Sequence, residues 1–132
     1  MRFAKYVFGV AGIYGVLALL PQYFMEGKIN ADNPPAITHP EYFYGFIGVG
    51  LAWQALFLVI AKDPVRYRLA MLPAILEKLT FSGAAAALYL QRRLALQVLA
   101  FGMIDLALAA LFIIAFRVTP KRAGPTAKPA QL

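Results

Sequence analysis

Cysteine is absent from this chain, which removes disulfides, thiol nucleophiles, iron–sulfur clusters and thiolate-held metals from consideration. Histidine occurs once, at His39, so neither a protein-held metal nor a haem is expected, and no cofactor is expected. Charge is also scarce. Asp, Glu, Lys and Arg make up 14% of the residues, against roughly 25% in an ordinary soluble domain. Apolar residues fill the gap at 61%, where about 45–50% is usual. A chain of 132 residues amounts to one domain, and a soluble core of that size has no use for so much apolar sequence. The balance points to a membrane protein.

Four apolar runs reach the ~20 residues that a transmembrane helix needs. They lie at about 3–24, 41–61, 69–90 and 95–116. The expected fold is therefore all-α, an antiparallel four-transmembrane-helix bundle over residues 1–117. The stretch from 118 to 132, "VTPKRAGPTAKPAQL", is rich in Pro, Gly and basic residues and reads as a disordered cytoplasmic tail. Arg2 and Lys5 ahead of the first run resemble a signal-peptide start. No small-x-small site follows and the apolar stretch is long, so an uncleaved helix is expected.

The net charge of +7 raises the question of nucleic acid, but the basic residues sit between apolar runs rather than along one polar face. No nucleic-acid partner is expected. The basic residues instead report topology. Arg2, Lys5, Lys62, Arg66, Arg68, Arg117, Lys121, Arg122 and Lys128 fall on one side of a four-span chain, and Lys28, Arg92 and Arg93 on the other. By the positive-inside rule both termini are cytoplasmic, and the short loops suit a bacterial inner membrane.

Loop punctuation refines the ends. "DNPPAITHPE" is an external loop in which Pro40 opens a helix, with Thr38 or His39 near the cap. "KDPVRYR" repeats the device inside, with Asp63 as cap and Pro64 as first helical residue. Pro73 then falls within the third helix, where a kink is expected.

The segment "ILEKLTF" places Glu77 and Lys78 in mid-run, where an ionised side chain costs about 2.5–3.5 kcal/mol on insertion scales. At 1.5 Å of rise per residue, Tyr14, Gln54, Glu77 and Asp105 can meet within about one to two turns of a common depth, with Trp53 nearby. Small residues mark helix contacts in membranes. Glu77 shares a face with Thr80, Ala84 and Ala87; Asp105 with Gly102 and Ala109; Gly12 and Gly15 mark the first run, and Gly48 and Ala52 the second. Both acids should thus face inward, with Phe57, Leu108, Leu111 and Phe112 toward lipid. Lys78 either pairs with an acid or snorkels to the headgroups. Ligand-binding candidates are Tyr14, Trp53, Gln54, Glu77, Lys78 and Asp105. His39, Glu41 and Tyr44 at the start of the second helix, with Tyr42, and Arg92 beyond the third, with Gln91 and Arg93, form a candidate outer mouth. Capping and an aromatic belt account for the same outer residues equally well.

The last run, "FGMIDLALAALFIIAF", with its Gly and Asp ahead of an apolar stretch, resembles the DoxX-like group of small four-span bacterial membrane proteins. That resemblance implies a four-helix membrane bundle and carries over no catalytic residue. Intramembrane acids beside a Trp are also similar to the emopamil-binding type of bundle, which encloses a sterol-like ligand. Two functions are expected from the residues themselves. One is binding of a lipid-like molecule such as a quinone or isoprenoid, or service as an accessory subunit to a membrane partner or a second copy. The other is an enzyme with Glu77 and Asp105 as acid and base.

Overall fold

The computed structural model describes residues 2–125. Lys128 and the rest of 126–132 lie outside the described residues, so the expectation of a disordered tail is not addressed there. Among the described residues every regular element is helical: α1 (Arg2–Leu19), a short 3-10 segment (Leu20–Phe24), α2 (Glu26–Asp32), α3 (Pro40–Lys62), a second 3-10 turn (Arg68–Ala70), α4 (Met71–Leu90) and α5 (Leu96–Val118). Four stretches of 23 residues, Arg2–Phe24, Pro40–Lys62, Arg68–Leu90 and Leu96–Val118, are long and apolar enough to cross a membrane. Each measures about 34 Å at helical rise, a little more than a ~30 Å hydrocarbon layer.

The helices pair as two hairpins. In the first, α1 runs antiparallel to α3. A Cβ on Gly12 would meet the Leu58 side chain, one on Gly15 would overlap the Gln54 amide, and one on Gly50 would meet Leu19. Residue numbers rise along one helix as they fall along the other. Glycines let the two backbones close, as between helices in lipid, where association depends on packing rather than on expelling water. The second hairpin joins α4 and α5 in the same way: a Cβ on Gly102 would come within 2.6 Å of the Ala85 Cβ.

The hairpins join at the end that holds the termini. Ala4 and Phe8 of α1, Phe57 and Ile60 of α3, Met71 and Ala74 of α4, and Phe112 and Ala115 of α5 form one buried cluster. Phe8 stacks on Phe112 with centroids 4.2 Å apart, and Phe57 meets Phe112 edge-on at 5.1 Å. This corrects the assignment of Phe57 and Phe112 to lipid: both are fully buried. Beyond this cluster α3 and α4 scarcely touch, and the far half of the bundle opens.

Several ends differ from expectation. Asp63 does cap, its Oδ1 accepting from the Arg66 amide at 3.2 Å, but it caps a turn. Helix α4 begins at Met71, so Pro73 is its third residue, where a backbone N–H has no intrahelical partner to lose. The expected kink has no cause there. Pro40 does open α3, with His39 at the cap position and no side-chain capping bond. Helix α5 runs through Val118, and Thr119 is buried with its hydroxyl donating to the Ala115 carbonyl at 2.7 Å. Arg68 donates from Nε to the Thr119 carbonyl at 2.8 Å and lies 3.8 Å over the Phe116 ring. Residues 118 and 119 therefore belong to the fold.

Candidate functional site

Where the hairpins part, they leave a cavity of about 790 Å³ lined by all four long helices and by α2. Its residues recur at helical spacing. Helix α1 contributes Tyr14, Gly15, Ala18 and Leu19, and the 3-10 segment after it Gln22; α3 contributes Phe43, Phe46, Gly50 and Gln54; α5 contributes Gln97, Val98, Phe101 and Asp105; and α4 contributes Glu77, Lys78 and Phe81. Met25, Ile29, Asp32 and Asn33 of the α1–α3 connection close over it. The walls are mostly apolar and aromatic. Gln54, Glu77, Lys78 and Asp105 gather at the floor, just above the phenylalanine cluster, and Gln22, Asp32, Asn33 and Gln97 lie toward the mouth.

Lys78 organises that floor. Its ammonium donates to Asp105 Oδ1 at 3.1 Å and lies 3.6 Å from Glu77 Oε2. The Phe57 ring centroid is 5.3 Å away, close enough for a cation–π contact. Lys78 is only 4% exposed, so it pairs with acid rather than snorkelling. The buried face of α4 is Met71, Ala74, Lys78, Ser82 and Ala85. This corrects the facing expected for that helix: Glu77 lies at its flank, partly buried, and Thr80, Ala84 and Ala87 are exposed. Asp105 does share its buried face with Gly102 and Ala109.

Gln54 is 2% exposed and donates from Nε2 to the Gly50 carbonyl one turn earlier, at 2.9 Å. A carbonyl only accepts, so this bond fixes which end of the amide is nitrogen. Gln54 Oε1 and Glu77 Oε2 are buried with no hydrogen-bond partner among the described residues. On the expected small-residue face of α3, Gly48 is partly buried, while Ala52 is exposed. The face that packs carries Ile47, Gly50, Gln54, Phe57 and Ile60.

Trp53 does not line the cavity. It borders a smaller groove of about 300 Å³ between α3 and α4, with Val49 and Thr80. Phe46, Gly50, Glu77 and Phe81 line both spaces, so the cavity and the groove meet at the seam where the hairpins touch least.

The expected outer mouth is corrected. His39, Glu41, Tyr44 and Arg92 line neither space. His39 Nδ1 sits 3.4 Å from Glu41 Oε1, with both side chains exposed. Tyr44 donates to Glu26 Oε2 at 2.7 Å, which ties α2 to α3. Arg92, at φ 58°, turns the chain between α4 and α5. The polar lining residues that the sequence reading did not single out are Gln22, Asp32, Asn33 and Gln97. For Gln97 a signal exists: Gln97, Phe101 and Asp105 recur every four residues on one face. Asp32 also holds Lys28 at 2.8 Å, and that bond raises the Lys28 ammonium above the usual lysine range. On the lysine side the contact thus persists at neutral pH and is lost as pH rises past that range.

Neither a family model, nor a curated protein, nor a solved structure matches the chain.

Proposed function

We propose that the bundle binds a lipid-like molecule, with its head on the Lys78–Asp105–Glu77 floor and its tail between the phenylalanines above. The observation that carries this reading is the cavity, about 790 Å³ with mostly apolar walls and a buried charged cluster at its floor. Small-molecule sites commonly enclose about 300–1,000 Å³ with this division of lining. The groove between α3 and α4 supports entry from the bilayer, because it opens the same seam sideways. A quinone or isoprenoid suits such a space, and the DoxX-like resemblance is retained as part of the same proposal. The setting we propose is a bacterial inner membrane with both termini cytoplasmic.

The enzyme reading has one observation in its favour: Glu77 Oε2 is buried at the cavity without a hydrogen-bond donor, as a proton-accepting group would be. Asp105 suits it less, since Lys78 occupies its Oδ1. Mass spectrometry of the protein purified in mild detergent tests the binding reading. A co-purifying amphiphile should be present in the wild type and lost in Ala18→Phe, which fills the cavity from α1. Equal recovery of that molecule from both proteins would place it outside the cavity and remove the proposal.

A further inference from the structure

We infer that the cavity reads the head of its occupant and takes an apolar-tailed molecule whose head donates hydrogen bonds, a protonated amine above a hydroxyl, in preference to anionic or acceptor-only heads. This rests on the binding reading and narrows it, away from the acceptor-only quinone and toward an isoprenoid with a donating head. The floor's side-chain atoms with no hydrogen bond at all are of one kind, while Lys78 already donates to Asp105. Gln54 Oε1 and Glu77 Oε2 are the buried side-chain atoms left without a hydrogen bond among the described residues, the second with only the Lys78 ammonium 3.6 Å away, and both are acceptors. Gln54 cannot turn to offer its amide nitrogen without giving up the Gly50 carbonyl. Gln22 repeats the arrangement toward the mouth, with Nε2 held by the Ala18 carbonyl at 3.0 Å, so its oxygen is again the free end.

Charge points the same way. Two carboxylates, Glu77 and Asp105, face one ammonium, Lys78, which lies 3.1 Å from one and 3.6 Å from the other. A third carboxylate on the lining, Asp32, is matched by Lys28. The floor thus carries one more acidic group than basic, in a setting where an added anion has no counter-charge. A carbonyl-only head would leave both orphan acceptors unmet, and burying such a group without a partner is costly. Tyr14 can donate or accept and so does not discriminate.

Four probes with one C15 isoprenoid tail and different heads separate the possibilities: primary amine, alcohol, methyl ester and carboxylate. Affinities are measured by calorimetry on the purified full chain in one detergent, so that tail partitioning is common to all. The amine should bind tightest and the alcohol next, with the ester and carboxylate weaker by about tenfold or more, the factor that one charge-assisted hydrogen bond supplies. In Glu77→Gln the amine should lose most of its lead while the ester is unchanged. Gln54→Leu, if it folds, should narrow the gap between alcohol and ester. An ester or carboxylate that matches the amine would overturn the inference and leave the binding reading standing. Full amine preference in Glu77→Gln would overturn it too. If no probe binds the wild type, both the inference and the binding reading fall.

Discussion

Lys78 is the residue on which most of the site depends. A buried charge whose partner is removed costs far more than a complete pair contributes. Lys78→Met strands Glu77 and Asp105 together and should destabilise the protein by about 3–5 kcal/mol, read as a lower thermal midpoint in detergent. Adding Asp105→Leu should recover a large part of the loss; a double variant as unstable as the single one would mean that Lys78 acts by packing alone. Gly15 gives a second prediction. A Cβ there would overlap the Gln54 side chain along its length, not merely at its tip. Gly15→Ala should cost about 1–3 kcal/mol as overpacking. Gly83→Ala, with nothing within 4 Å, should stay within about 1 kcal/mol of wild type. Equal effects at the two glycines would contradict the close approach of α1 and α3.

The helices themselves were legible in the sequence, because length and hydropathy are all that a span requires. Their rotation was not. Lipid is as apolar as a bundle core, so Phe57 and Phe112 carry no mark of which they face. In α4, Gly83 is followed by four alanines, Ala84 to Ala87, and a small residue at every position gives the face no phase. Glu77 and Lys78 differ by about 100° around the helix, and that ambiguity moved the buried position by one residue. Helix α5 was read in the right phase at Gly102, Asp105 and Ala109, because its one acid marks the face, but not at Phe112 on the same stripe. Helix α2 was missed, since "EGKINAD" is short and polar and resembles loop. Pro73 yields a prediction at this scale. In the first turn of α4 it neither kinks the helix nor removes a bond, so Pro73→Ala should leave the melting midpoint and ligand affinity unchanged within about 0.5 kcal/mol. A marked drop in either would restore the kink reading.

At the scale of the molecule, the bundle is closed at one end by phenylalanines and open at the other beneath α2. The asymmetry in Lys and Arg follows the same axis, with the closed end carrying the basic excess. Because the chain has no cysteine, single cysteines report sidedness directly. Arg122→Cys in intact cells should resist a membrane-impermeant maleimide, and Asn33→Cys should react. The reverse pattern would invert the topology and put the cavity mouth on the cytoplasmic side.

The division into hairpins has a consequence for how the protein is made. Lys78 and Asp105 belong to the same hairpin, and Gln54 bonds within its own helix, so neither half presents the translocon with a charge that waits on the other half. The first hairpin can leave the insertion machinery before the second is synthesised, and the second can pair Lys78 with its own acids as it enters lipid. Docking of the two then rests on apolar and aromatic contacts, the phenylalanine cluster, the Phe46–Phe81 pair and the Lys78–Phe57 contact. A gene divided within the Asp63–Tyr67 turn should therefore yield two polypeptides that each insert and, when made together, co-purify through a tag on one. Degradation of the second fragment whenever the first is absent would mean that biogenesis needs the unbroken chain.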